Sequence, residues 1–302
     1  MKIRKIHIIS GLLGLTLLSV SCTKVNRDDD FPPGDVPPVA GGFSTADEVA
    51  KDNLVAYWSF DENNNELKTN TAPTIAAVNS STSTGIKGKA VSLDYGYLAY
   101  PEIAGLNSLP SYTITAWINT SNRKGVPERG GAQSIFQLSR RATSTTYEWA
   151  GNVTFMMEND WYLPTDPVLV VKGLNVTNVN GNASWQDSRN DPGRANPGVQ
   201  KFEGGNKWVQ VALLWNAKDS LLQVYGNSIK ISNPEWEKRS NGNLVFFTPT
   251  APIIGGWGTN IAGVRDSWQQ PFKGQIDEVR VYNKALSAIE LSALYLLEKD
   301  GR

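Results

Sequence analysis

Period-two alternation of apolar and polar residues constrains the fold of this chain more than any other feature of its sequence. Such alternation puts successive side chains on opposite faces of a β-strand, with one face toward a core. Four runs show it: residues 112–118 (YTITAWI), 208–215 (WVQVALLW), 221–225 (LLQVY) and 275–282 (QIDEVRVY). We therefore predict an all-β domain.

Further elements follow from shorter patterns. Three apolar runs predict more strands: residues 134–138, 153–157 and 167–171. Three Asn-Gly or Gly-Asn pairs predict turns: residues 180–182, 225–227 and 241–243. Residues 287–296 (SAIELSALYL) have the one convincing helical pattern. Ser287 precedes Glu290 by three residues, which is the spacing of a capping box, so we expect a short C-terminal helix.

The first residues have a different composition from the rest. A basic start, MKIRK, precedes an apolar run over residues 8–20. This run is too short to span a bilayer and is typical of a secretory signal. It ends at Ser21 and the lone Cys22, an arrangement that resembles a bacterial lipoprotein box, although Ser19 stands where leucine is more usual. We predict a signal peptide at residues 1–21 and a lipid on Cys22 that anchors the protein in the membrane.

Residues 22–42 are predicted to be a disordered tether. They carry three consecutive aspartates and two Pro-Pro pairs, with little apolar content to bury. The acidic run after Cys22 resembles the surface-export signal of Bacteroidetes lipoproteins, and a plain solvated linker is equally open. We expect an outer-membrane protein that is exposed at the cell surface. No second linker interrupts residues 43–302, which are predicted to be one domain.

Four separated segments together resemble one family. They are residues 54–62 (LVAYWSFDE), 111–118 (SYTITAWI), 207–212 (KWVQVA) and 272–287 (FKGQIDEVRVYNKALS). This combination resembles the laminin-G-like, concanavalin A-type jelly rolls. The resemblance implies a two-sheet antiparallel jelly-roll sandwich with a short C-terminal helix. Because that fold occurs in lectins, carbohydrate-binding modules, adhesion modules and some glycosidases, it does not fix a chemistry. Residues 121–200 match the family poorly and are predicted to be lengthened strands and loops.

The near-absence of cysteine and histidine excludes several kinds of site. Cys22 is the only cysteine, and the only histidine, His7, leaves with the signal peptide. The mature chain therefore has no disulfide within it, no Ser-His-Asp triad and no zinc site of the Cys/His type. With 29 basic and 29 acidic residues there is no electrostatic case for nucleic acid.

Tryptophan is abundant, with ten in the chain. Trp58, Trp117 and Trp208 lie in strand patterns and are predicted to pack in the core. Turn-rich segments usually lie at the surface, where exposed large aromatics often mark an interaction site. Six other tryptophans lie in such segments: Trp149, Trp161, Trp185, Trp236, Trp257 and Trp268. Flat aromatic faces stack on sugar rings, and the Asn, Asp and Gln neighbours of these residues can bind hydroxyls. Two interpretations stay open: a ligand surface, led by Trp161, Trp185 and Trp268, or a satellite core beneath loops.

Two aspartates are candidate metal ligands. The family resemblance implies calcium near the seam where the chain ends meet, and calcium prefers hard oxygen ligands such as those of Asp61 and Asp277. The alternative is that Asp277 binds backbone amides. Alternation places Asp277 with Val279 and Val281 on an inward face and leaves Glu278 exposed.

Catalysis by a glycosidase needs two carboxylates across a cleft. The nearest approach is Glu235-Trp236-Glu237, whose two carboxylates would share one face if the segment were a strand. We predict no catalytic residues. We expect a lipid-anchored protein that binds polysaccharide and does not cleave it. The alternatives are a protein-binding adhesion module and, further off, a divergent glycoside hydrolase.

Overall fold

The computed structural model describes residues 37–141, 147–192, 201–238 and 242–302. The signal peptide, Cys22 and most of the tether lie outside these residues. The chain divides into two units, Met1–Pro37 and Pro38–Arg302, and the second carries all the elements below. No helix in the described ranges is both long enough and apolar enough to cross a membrane.

Most of the regular secondary structure in the second unit is β-strand. The first eight are β1 (Leu54–Trp58), β2 (Ile75–Thr84), β3 (Lys89–Ala99), β4 (Tyr112–Asn119), β5 (Ala132–Leu138), β6 (Val153–Glu158), β7 (Val168–Leu169) and β8 (Val171–Val179). The others are β9 (Asn182–Arg189), β10 (Phe202–Glu203), β11 (Val209–Asn216), β12 (Leu221–Gly226), β13 (Ile229–Lys230), β14 (Pro252–Ile254), β15 (Gln269–Gln270) and β16 (Phe272–Tyr282). The helices are α1 (Pro234–Glu237), α2 (Gly258–Ile261) and α3 (Ala288–Lys299).

Fourteen of these strands form one curled sheet. Its main path runs β13-β12-β11-β4-β16-β3-β14-β5-β6-β8-β9, with β1, β2 and β15 paired at its sides. Pairing along the path is antiparallel, whereas β15 pairs with β5 in parallel. The sheet curls until β12 lies against β8 and β9, so two layers face each other. The predicted all-β jelly-roll sandwich with a C-terminal helix is confirmed.

The main core fills the space between the two layers. Its largest side chains include Trp58, Trp215, Phe136 and Phe155, all fully buried. Close approach of the layers depends on Gly173 in β8, where an added Cβ would lie 2.0 Å from the Leu213 side chain of the opposite layer. Such dense packing makes these positions sensitive to a change of volume.

Helix α3 packs on the layer that contains β11 and β16, on the face turned away from the main core. Ser287 caps it and Glu290 completes the capping box, as its sequence predicts. Leu291, Leu294 and Leu297 form a second core with residues of β11 and β16. Trp117 is buried as expected, but it lies outside the main core and stacks on Tyr295 of α3 at 5.5 Å between ring centroids.

A buried ionic cluster lies beneath α3. Arg280 is inaccessible to solvent, and its Nε donates to Glu298 Oε1 at 2.8 Å while Nη2 donates to Glu278 Oε2 at 2.9 Å. Asp47 Oδ1 accepts from Nη1 at 2.9 Å. Burial raises the pKa of Glu298 to about 7, with Arg280 opposing the shift.

Two expectations about single residues are wrong. Glu278 is buried, because the register of β16 against β4 shifts between Asp277 and Arg280 and the backbone φ of Glu278 is +47°. This irregularity puts Ile276 and Val279 both in the core although they are three residues apart. Trp208 is only half-buried and precedes β11 rather than packing in a core.

Candidate functional site

The candidate site lies on the outer face of β5, β6, β8 and β9. Alternation along β8 sends Gly173 toward the opposite layer, whereas Leu174 and Val176 join a satellite core outside the sheet. Met156 of β6 and Trp257 belong to the same satellite core. Larger side chains, among them Trp149, pack against this apolar patch on the outside of the sheet.

Tryptophans from distant parts of the chain gather over that patch. Trp149 contacts Trp185 at 5.1 Å and Trp268 at 5.2 Å between ring centroids. Trp268 also meets Trp257 edge-on at 5.4 Å. The side chains of Trp185 and Trp268 keep 41% and 37% of their surface exposed, so they remain available to a ligand. Offset and edge-on pairs of this kind stabilise each other beyond simple burial.

Gly131 explains how Trp268 reaches this place. The backbone of Trp268 accepts a hydrogen bond from Ala132 N–H at 2.7 Å, where β15 pairs with the start of β5. Gly131 has φ +115°, and a Cβ there would lie 2.3 Å from the carbonyl oxygen of Trp268. Only glycine fits this close approach. The absence of a side chain at Gly131 therefore lets the backbone of Trp268 lie against the start of β5.

A charged cluster lies beside the indoles. Lys172 Nζ contacts Glu158 Oε1 at 3.3 Å and Asp187 Oδ2 at 3.1 Å. Arg189 Nη1 donates to Glu158 Oε2 at 3.0 Å. All four side chains are partly buried, so these ion pairs are less screened by solvent than exposed ones.

Arg189 also links the charges to two further aromatics. Its guanidinium lies over the ring of Trp161 at 4.9 Å and over the ring of Trp236 at 5.3 Å. A cation over an aromatic face is attracted by the ring quadrupole. We call the whole set the tryptophan surface; it comprises Trp149, Trp161, Trp185, Trp236 and Trp268.

A cavity of about 250 Å³ opens in this surface. Trp149, Trp161 and Trp268 line it together with Met156 and Leu174. Its polar lining comes from Glu158, Asp160 and Lys172. Flat apolar faces with a few polar groups are the usual composition of a small-molecule site.

Trp257 differs from the expected surface residue. It is fully buried, and its indole N–H donates to the backbone oxygen of Gln270 at 3.0 Å. It supports Trp268 from below and cannot contact a ligand directly. For this residue the satellite-core alternative is correct.

The Glu235-Trp236-Glu237 segment also differs from expectation. It forms the helical turn α1 rather than a strand, and residues two apart on a helix do not face each other. Glu237 is buried, where it accepts from Ser232 Oγ at 2.7 Å and pairs with Lys230 Nζ at 3.0 Å. The paired-carboxylate geometry considered for this segment is therefore wrong.

Asp61 and Asp277 both bind the turn that joins β2 to β3. Asp277 Oδ2 accepts from the N–H groups of Ile86 and Lys87 at 2.9 and 3.2 Å. Asp61 Oδ1 accepts from Lys89 N–H at 2.8 Å. Burial and the neighbouring Glu278 raise the pKa of Asp277 to about 8, although three N–H donors oppose the shift. The predicted inward orientation of Asp277 agrees with its burial.

Calcium binding by Asp61 and Asp277 remains a prediction. The hydrogen bonds that their carboxylates accept from backbone N–H groups do not favour it. The carboxylate oxygens face N–H donors, whereas Ca²⁺ requires six to eight oxygen ligands. In the part of the chain that the structure describes, no group of three or more His, Cys, Asp or Glu residues could hold a metal ion.

Sequence reasoning missed the charged residues of the site. Glu158, Lys172 and Arg189 lie within strands, where a single charge usually marks a solvent-facing position. The one available signal was Lys172, a charge near the start of the otherwise uncharged run 168–179.

Comparison with known proteins points to one family. The family model described as "Concanavalin A-like lectin/glucanases superfamily", of the Laminin_G_3 type, matches residues 94–292, which is more than half of the chain. The match includes residues 121–200, so the prediction that this segment fits the family poorly is wrong. A comparison with curated proteins finds no significant match.

Several solved structures are similar at low sequence identity. The binding domain of Paraclostridial Mosquitocidal Protein 1 is 16% identical with a TM-score of 0.54, over 82% of this chain and 52% of that one. The ligand-binding domain of botulinum neurotoxin serotype D, solved with N-acetylneuraminic acid, is 12% identical with a TM-score of 0.52, over 84% and 52%. This chain thus spans about half the length of those two domains. Domain 4 of an arabinanase from Geobacillus stearothermophilus, solved with arabinotriose, is 18% identical with a TM-score of 0.49, over 80% and 98%.

Proposed function

The chain belongs to the concanavalin A-like lectin/glucanase superfamily, and we propose that it binds a polysaccharide or other glycan through the tryptophan surface. The observation that carries this proposal is the convergence of five indoles from separate segments around one cavity and one charged cluster. One similar protein, the neurotoxin ligand-binding domain of which this chain covers 52%, was solved with the carbohydrate N-acetylneuraminic acid.

The chemistry of the surface suits sugars. Indole faces are flat and apolar, as are the C–H faces of pyranose rings. Asp160 is exposed at the cavity beside Trp161, and Lys172 and Glu158 contribute polar atoms to the wall. Rigid aromatics with a few polar groups combine contact area with orientation of hydroxyls.

Binding without cleavage is the second part of the proposal. Two carboxylates of the charged cluster are engaged in ion pairs, Glu158 with Lys172 and Arg189, and Asp187 with Lys172. A glycosidase needs one carboxyl free to donate a proton and another free to act as nucleophile or base. Engagement of Glu158 and Asp187 leaves Asp160 as the only exposed carboxylate among the described residues that line the first cavity, and one carboxylate alone favours binding over cleavage.

The third part concerns location. We propose that Cys22 carries the lipid and that the protein is held at the outer membrane with this domain at the cell surface. The support is the signal-like run, the lone cysteine and the tether that follows it. Labelling of cells with an alkyne fatty acid tests the anchor, because a Cys22→Ala variant should take up no label. Protease treatment of intact cells tests surface exposure separately, and full protection would contradict it.

A glycan array beside a reducing-sugar release assay tests the main proposal. Binding to one or more glycans without release supports it. Release of sugar would instead indicate a glycoside hydrolase. Absence of any glycan ligand would contradict the proposal and favour a protein partner, for which the same exposed aromatics would serve as an interface.

A further inference from the structure

A second cavity adjoins the first across Trp268. It has a volume of about 510 Å³ and is lined on its far side by Glu128, Arg265 and Ser267. Gly131, Asp160 and Trp268 line both cavities. The exposed indole of Trp268 therefore stands between two connected depressions.

One buried acceptor in the second cavity lacks a partner. Gln270 lines this cavity and is almost fully buried. Its Nε2 donates to Ser267 O, whereas its Oε1 accepts no hydrogen bond from any described residue. Because Oε1 is inaccessible to solvent, Gln270 forms part of the cavity wall and does not offer an acceptor to a ligand.

The remaining polar groups of the second cavity are accessible. Arg265 is exposed and donates through Nη1 to the backbone oxygen of Gln269 at 3.2 Å. Glu128 and Asp160 are exposed carboxylates. Guanidinium and carboxylate groups bind sugar hydroxyls as donors and acceptors respectively.

We infer that the second cavity is a further sugar subsite, so that the ligand is an extended glycan lying across Trp268 rather than a single terminal sugar. This inference rests on the proposed function. One unit occupies the cavity beside Trp161, and the next contacts the exposed side chains of Arg265 and Glu128. The chain would then recognise a run of consecutive units.

The test is a length series. Size-fractionated linear oligosaccharides of one to six units, prepared from β-glucan, xylan, mannan and arabinan, are titrated into the full chain by calorimetry. The inference predicts that affinity rises at least about tenfold between one unit and the length that spans both cavities, then levels off. Arg265→Ala and Glu128→Gln should each weaken the longer ligands by about three- to tenfold and leave the shortest ligand unaffected.

Controls separate the possible outcomes. Trp161→Ala, in the first cavity, should weaken short and long ligands alike. Lys218→Ala removes an exposed cation in the turn between β11 and β12 and should change nothing. Binding that is independent of length, or unaffected by both second-cavity variants, would overturn the inference while leaving the proposed function in place. Absence of binding at every length, together with absence of any ligand on the glycan array, would overturn both.

Discussion

The indoles of Trp149 and Trp268 meet edge to face, with 5.2 Å between their ring centroids and an interplanar angle of 79°. Trp149 precedes β6, whereas Trp268 immediately precedes β15, so their contact depends on the parallel pairing of β15 with β5. Trp149 is partly buried and packs on the satellite core, Trp268 keeps 37% of its surface exposed, and both line the same cavity. The pair therefore presents aromatic surface that a ligand in the cavity can contact.

Loss of a surface indole should affect binding and spare the fold. Trp161→Ala and Trp268→Ala are expected to weaken glycan binding by about thirtyfold, since an aromatic anchor is worth at least about 2 kcal/mol. Melting temperature should change little, because both side chains are partly exposed. Titration and thermal melts of the same samples measure both effects. Trp58→Ala is the contrast, with an expected loss of about 3–5 kcal/mol of stability from the main core.

Trp257→Ala should affect both properties. The side chain is fully buried and supports Trp268 from below. Its removal leaves a large cavity, which costs about 3–5 kcal/mol, and frees Trp268 to move. We expect a lower melting temperature together with weaker glycan binding. Unchanged stability would contradict the supporting role.

Arg280 should be the most costly charged residue to replace. Arg280→Met leaves Glu298 and Glu278 buried without their cation, which costs about 3–5 kcal/mol when one partner of a buried pair is removed. Lys273→Met provides the matched control, because its pair with Asp94 is exposed and worth about 0–1 kcal/mol. Denaturant unfolding of both variants measures the difference. Equal losses of unfolding free energy in the two variants would contradict the stabilising role given to the buried ion pairs of Arg280.

Asp277 should make stability depend on pH. Its pKa in the folded chain is raised to about 8 from the usual value of 3.8. Below the lower value the carboxyl is protonated in both states, and between the two values only the folded chain keeps the proton. Stability contributed by the protonated group is therefore lost as pH rises toward 8. Relative to Asp277→Asn, the wild-type chain should lose melting temperature between about pH 4 and pH 8, and a constant difference would contradict this.

Chelation tests the calcium prediction. The oxygens of Asp61 and Asp277 accept backbone N–H groups, so we expect the same melting temperature in EDTA as in millimolar Ca²⁺. A melting temperature that falls in EDTA and recovers with Ca²⁺ but not Mg²⁺ would show instead that the family resemblance predicted a real calcium site.

Local patterns predicted the elements well. Alternation located β4, β11 and β12, and the Ser287–Glu290 spacing located the start of α3. These signals lie within one strand or one turn of the chain. The register shift at Glu278 has a local signal that the prediction did not use, since the consecutive polar residues Asp277 and Glu278 interrupt the alternation between Ile276 and Val279. Its φ of +47° depends on neighbouring strands, and so does the burial of its carboxylate.

The site was predictable in its residue type but not in its arrangement. Trp149, Trp161 and Trp268, predicted from their turn-rich surroundings, lie outside the main core, whereas Trp185 lies within β9 and Trp236 within α1. Their convergence depends on long-range pairing, including the parallel pairing of β15 with β5, which no local pattern specifies. For the same reason the burial of Trp257 and the ion pairs of Lys172 could not be predicted from their neighbours in sequence.

The most direct test of the tryptophan surface is oxidative footprinting with mass spectrometry. The protein is exposed to hydroxyl radicals with and without the glycan that binds best on the array, and oxidation of each tryptophan is measured. We expect bound glycan to protect Trp161, Trp185 and Trp268, while Trp208, which is half-buried beside β11, stays equally reactive. A glycan that binds yet leaves all three as reactive as in the free protein would contradict the account.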